Sequence, residues 1–343
     1  MISIKKEGII LEATKLEFEN QAVLNPGCIR VGDHVHMFYR AVKQGNYSSV
    51  GYCKLDGPLE VVERAEKPIL FPEYDYEIHG VEDPRIIFLD DTYYLFYMAY
   101  DGSKVVTAYA ISKDLKNFEK KGKISHYISY SEAKEIFNKS NMPVKYFNFD
   151  IYNKTQNETA DTVYLWGKDS FIFPKRFNGK FALLIRVLPN IQLIYFNDFK
   201  DLTIEYWRNH LSKLADHTVI DTKYWFESRA IGAGCPPIET DLGWLFIYHV
   251  IENSPKGKIY RAAAALLDIK NPCSEIARLD YPLFSPELEW ELKGDVNNVV
   301  FPTGTAVFDE TLYIYYGAAD TRIGVASLNI NELLDELVGK SKG

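Results

Sequence analysis

The chain has 343 residues, 47% hydrophobic and 25% charged, the balance of a soluble globular protein, and its 24 Tyr and 20 Phe favour strands. A formal net charge of −8 offers no general attraction for a polyanion, so neither a nucleic-acid partner nor a charged membrane surface is expected. The four cysteines, Cys28, Cys53, Cys235 and Cys273, form no C-x-x-C pair, which argues against a zinc ribbon or a dithiol motif, and no run of about 18 apolar residues is present to span a membrane.

The N-terminal stretch MISIKKEGIILEATKLEFEN lacks the uninterrupted apolar core of a secretory leader, so the expected location is the cytoplasm, with free buried thiols rather than disulfides. A repeat then sets in. GDHVHMFYRA (32–41) joins a polar turn to an alternating aromatic and aliphatic run, and SVGYCKLDG (49–57) follows it. The same pair recurs as DDTYYLFYMAY (90–100) with VTAYAISKDL (106–115), and as NGKFALLIRV (178–187) with IQLIYFNDF (191–199). It recurs again as DLGWLFIYHV (241–250) with YRAAAALLDI (260–269), and as DETLYIYYGAAD (309–320) with RIGVASLNI (322–330). Alternation of period two with Gly-Asp, Asp-Asp and Asn-Gly turns predicts strands in hairpins. RAAAALLD reads as helix on propensity alone, but its register with the other copies predicts a strand. Five copies of a paired-strand unit predict an all-β fold, a five-bladed β-propeller, as a single domain over residues 1–343.

One interval is too long and predicts a rim insertion around residues 124–165. It contains SYSEAKEIFNKS (129–140), a short helix with Ser129 or Ser131 as N-cap, and the polar, loop-like run NKTQNETAD (153–161). Such a segment is either a wall over a pocket or inert decoration.

The polar ends of the repeats are the candidate site. Arg40, Arg186, His249 and Asp320 close four of the alternating runs, and Glu82-Asp83-Pro84-Arg85 precedes the fifth. In a radial fold these residues meet at one cavity. Several cations with one or two carboxylates suit an anionic substrate and a general acid. A sugar hydrolase needs two carboxylates, whereas cations replace the second when phosphate is the nucleophile. Pro84 predicts extended backbone at Asp83, and neighbours in extended chain face opposite ways, so Glu82 and Asp83 are not expected to form a catalytic couple. Glu82 is expected to pair with Arg85 or a sugar hydroxyl. His34 and His36 share one strand face without an acid cluster, so they read as structural and no metal site is expected.

NPGCI (25–29), FYRA (38–41), GVEDPRI (80–86), AISKDL (110–115), IGAGCPPIETDLGWLFIYH (231–249), YRAAAALLD (260–268), NVVFPTG (298–304) and YYGAAD (315–320), in that order, resemble glycoside hydrolase family 130. These are the β-mannoside phosphorylases and related β-mannosidases, which are five-bladed propellers. The resemblance implies Asp83 as general acid, passing its proton through the mannosyl 3-hydroxyl while phosphate inverts the anomeric carbon to give α-mannose 1-phosphate. It implies Asn25, Arg40, Glu82 and Asp320 around the sugar, and Lys168, Arg186, Arg229, His249 and Tyr260 around phosphate. The partners implied are a β-1,4- or β-1,2-linked manno-oligosaccharide or a mannosyl-glucose, and inorganic phosphate as co-substrate, with no other cofactor. A β-mannosidase using water with Glu227 or Glu252 as base, a silent glycan-binding propeller, and homo-oligomerisation all stay open.

Overall fold

A computed structural model of the chain describes residues 2–152, 158–165, 167–255 and 257–341. It opens with β1 (Lys5–Leu11) and continues as five groups of antiparallel strands. The first is β2 (Ala22–Val31), β3 (His34–Lys43), β4 (Tyr47–Asp56) and β5 (Glu60–Arg64). The second is β6 (Gly80–Leu89), β7 (Thr92–Tyr100), β8 (Val105–Ser112) and β9 (Glu119–Lys123). The third is β10 (Lys168–Ile172), β11 (Phe181–Val187), β12 (Asn190–Phe196) and β13 (Thr218–Ile220). In the fourth, β14 (Ala230–Ala233) and β15 (Ile238–Thr240) both pair with β16 (Gly243–Ser254), which leads to β17 (Gly257–Leu267) and β18 (Glu275–Arg278). The fifth is β19 (Val300–Phe308), β20 (Thr311–Ala318) and β21 (Arg322–Asn329), completed by β1 pairing with β21. A single parallel bridge, Ser48 to Gly80, joins the first two groups, so the hydrogen-bonded sheets number four among the described residues.

The fold is mostly β, and all ten alternating segments are strands. The local chemistry explains why. At the β6–β7 turn Asp90 and Asp91 have φ of 49° and 55°, and at the turn before β11 Asn178 and Gly179 have 50° and 79°. Two successive left-handed residues reverse a chain with the twist that paired strands require. β17 is a strand although alanine-rich, because Ala262–Leu267 is buried on both faces and small side chains suit a strand packed on both sides.

The first strands of the groups pack against one another: β2 against β6 and β19, β6 against β10, and β10 against β14. Glycine permits the closest approach. A Cβ at Gly27 of β2 would stand 2.6 Å from the carbonyl oxygen of Pro84 in β6.

The 124–165 insertion carries α1 (Tyr130–Lys139), capped by Ser129, whose Oγ accepts from the Glu132 amide at 3.2 Å. Buried Tyr130, Ala133 and Phe137 join α1 to the core of the third group, where α2 (Ile204–Leu211) also packs. Of the polar run 153–161, residues 153–157 lie outside the described residues. Of two further helices, α3 (Glu289–Leu292) packs on β20 of the fifth group, and α4 (Ile330–Ser341) packs on β17 and β18 of the fourth and β21 of the fifth. All four cysteines are unpaired, three of them buried. His36 bonds Tyr52 Oη at 2.9 Å and His34 stands 3.4 Å from Asp56. Among the described residues no helix is long and apolar enough to cross a membrane.

Candidate active site

The site begins with three bulges at matching positions. In β2 the register steps from Leu24–Arg40 to Gly27–Phe38, in β6 from Glu82–Met98 to Arg85–Phe96, and in β10 from Lys168–Arg186 to Phe171–Leu184. Each bulge holds one left-handed residue that is not glycine: Asn25 at φ 48°, Asp83 at 49° and Asp169 at 54°. Asn and Asp tolerate this region better than other side chains, and a bulge re-aims the residue it contains. All three line one cavity of about 240 Å³, with Arg40, Lys168, Arg186, Arg229, Tyr260 and Asp320.

Asp83 is therefore not extended, contrary to the expectation from Pro84. Tertiary contacts override the local bias: Arg85, 1% exposed, donates from Nη1 to the Asp83 carbonyl at 3.0 Å and from Nε to the Gly234 carbonyl at 2.7 Å. Nor do Glu82 and Asp83 face opposite ways. Both carboxylates converge on Arg40, Glu82 at 2.8 Å and Asp83 at 3.7 Å. Glu82 thus pairs with Arg40, not Arg85, and stands behind it outside the cavity lining.

Asn25 Nδ2 donates to Asp83 Oδ1 at 2.8 Å, and Arg40 Nε donates to Ser48 Oγ at 2.9 Å. Asp320 lies close enough to feel Arg40 and Asp83. Its pKa is pushed up to about 6, chiefly by burial, with Arg40 opposing and Asp83 and Asp295 adding to the rise. A second cavity of about 430 Å³ opens from here, sharing Arg40 and Asp320 and adding Gln21, Asn46, Asp295 and Thr321.

The cavity also holds several cations. Arg186 Nε stands 3.0 Å from Asp169 Oδ2, and Nη1 donates to His249 Nε2 at 3.0 Å. His249 is fully buried; burial first, then Arg186, hold its pKa well below the ordinary imidazole value, so it is a neutral acceptor behind the cavity. Burial also lowers the pKa of Lys168, against the pull of Glu82 and Asp83. Arg229 Nη2 donates to the Asp150 carbonyl of the insertion at 3.3 Å, and the next residue, Ile151, lines the cavity. The insertion is therefore a wall of this pocket.

Eight of the ten expected site residues line the cavity, while Glu82 and His249 stand one layer behind. Asp169, Lys258, Ile151 and Phe301 line it without having been anticipated. Asp169 was adjacent to a candidate, but only the strand register reveals that it matches Asn25 and Asp83. The alternative bases are elsewhere. Buried Glu227 accepts from Arg278 at 3.0 Å, Tyr248 Oη at 2.8 Å and the amides of Lys223 and Tyr224, and Glu252 pairs with Arg261 at 2.7 Å. Neither lines the cavity. Among the described residues no group of three or more His, Cys, Asp and Glu is placed to hold a metal ion.

A family model described as β-1,4-mannooligosaccharide phosphorylase, of the glycoside hydrolase 130 type, matches residues 7–338. The 1,2-β-oligomannan phosphorylase of Thermoanaerobacter sp. (strain X514) is 33% identical over 97% of this chain and 99% of that protein. The β-1,2-mannobiose phosphorylase of the same strain is 34% identical over 90% and 91%. Among solved structures, the β-1,2-mannobiose phosphorylase from Listeria innocua in complex with β-1,2-mannobiose superposes with a TM-score of 0.71 at 22% identity, covering 98% of this chain and 99% of that one.

Proposed function

The chain belongs to glycoside hydrolase family 130, and on that premise we propose that it is an inverting phosphorylase of β-mannosides, transferring a mannosyl unit to inorganic phosphate. The observation that carries this reading is the make-up of the cavity. Asn25, Asp83, Arg40 and Asp320 line it together with a second set, Lys168, Arg186, Arg229 and Tyr260. The first set offers donors and acceptors for sugar hydroxyls. The second offers charge for a dianion, with Arg suited to bidentate contact.

An oxygen of the phosphate held by these cations attacks the anomeric carbon. The bond to the leaving sugar breaks on the opposite face, and the configuration inverts. As general acid, Asp83 supplies the proton to the departing oxygen through the mannosyl 3-hydroxyl, and Asn25 and Arg40 orient its carboxyl. Water activation by Glu227 or Glu252 is disfavoured because both are engaged away from the cavity. The names of the relatives favour β-1,2-linked substrates. We read the five strand groups as blades of a propeller, since their first strands pack in succession and three bulges aim at one cavity. Unpaired cysteines fit work in the cytoplasm.

The test is incubation with β-1,2- and β-1,4-mannobiose, with and without phosphate. Mannose 1-phosphate released only with phosphate is expected. Free mannose without phosphate would indicate a hydrolase, and no turnover on any β-mannoside would indicate a glycan-binding protein.

A further inference from the structure

Of the three left-handed bulge residues, Asn25 and Asp83 have places in the proposed reaction, and Asp169 has none. We propose that Asp169 is a positioning residue that sets Arg186 for the attacking phosphate; this rests on the phosphorylase reading. A left-handed non-glycine residue stores strain that persists only where its surroundings hold it, and such residues gather at functional sites. Asp169 is 3% exposed at φ 54° and lines the cavity. Its Oδ2 stands 3.0 Å from Arg186 Nε and 3.7 Å from His249 Nε2.

The fold makes room for that oxygen. A Cβ at Gly232, the residue opposite His249, would lie 2.6 Å from Asp169 Oδ2. Behind the cavity Nη1 of Arg186 donates to His249, and Nε pairs by charge with Asp169 at 3.0 Å without a hydrogen bond. Nη2 is the nitrogen that remains for a ligand in the cavity. Burial lowers the pKa of Arg85, and Asp169 is the largest influence opposing that shift. One carboxylate thus steadies two guanidinium groups, one set for phosphate and one bonded to the Asp83 carbonyl. An ordinary structural ion pair needs neither the strained backbone nor a place in the cavity wall.

The variant is Asp169→Asn, which keeps the shape and tolerates the same backbone region. The expected result is a rise in KM for phosphate of roughly tenfold to a hundredfold, the worth of a charge-assisted contact, with KM for the mannoside within about threefold of the parent. Asp169→Gly, which relieves the strained φ while removing the carboxylate, gives the same split if Asp169→Asn fails to fold. In an Arg186→Ala background Asp169→Asn should add nothing further, because the residue it positions is gone. An unchanged phosphate KM, equal rises in both KM values, or full additivity with Arg186→Ala overturns the proposal. Lack of phosphate dependence in the unmodified protein overturns the phosphorylase reading and this one together, and is seen before any variant is made.

Discussion

Asp83 is held in part by contacts that a change of charge would leave standing, the backbone contact of Arg85 above all. Asn25 Nδ2 and the Arg40 guanidinium address its side chain, and Arg85 its carbonyl. Asp83→Asn therefore keeps the left-handed bulge but loses the proton, and activity should fall by at least about a hundredfold with the melting temperature within about 2 °C of the parent. Near-normal turnover would remove Asp83 from the role of acid. Asp320 makes a second, pH-dependent prediction. Its folded-state pKa of about 6 lies above the ordinary value of 3.8, so its contribution to stability is fully present below about pH 4 and lost as the pH rises through 6. Asp320→Asn should then raise the melting temperature at pH 7.5 by at least about 2 °C, and the difference should vanish near pH 4. A melting difference independent of pH would mean that Asp320 is not strained by its surroundings.

At the scale of elements, the ten repeated strands were legible because alternation and turn chemistry act within about ten residues. The bulges were not. They depend on how a first strand meets the next group, as where Gly27 lets β2 approach the Pro84 carbonyl. Gly27→Ala forces a methyl into that contact and should destabilise by about 1–3 kcal/mol, read as a lower denaturation midpoint, and it should slow turnover by shifting Asp83. Unchanged stability would show that the junction yields. The same limit explains the misreading of GVEDPRI. Pro84 does bias its neighbour toward extended chain, but the bias is local, and the buried Arg85 anchored on Gly234 overrides it. The insertion also needed the structure, since only its fold places the Asp150 carbonyl on Arg229.

Across the whole molecule, β1 pairs with β21, so the first strand completes the last sheet. Removal of residues 1–11 would expose the β21 edge and uncover part of the core around Ile323 and Val325. The truncated chain should unfold at lower temperature and scatter light at concentrations where the parent is clear; a monomeric, equally stable product would show the strand to be dispensable.

The sequence by itself determined the ten repeated strands, the capped helix of the insertion and eight residues of the cavity wall, because each is written in local pattern or in a run of motifs shared with a family. Only the tertiary structure decided that Glu82 and Asp83 converge on Arg40, that Glu227 and Glu252 are engaged elsewhere, and that Asp169 belongs beside Arg186. The reason is physical. A side chain's partners are set by strand register and by packing between groups, which join residues dozens to hundreds of positions apart and leave no trace in the spacing of any one segment.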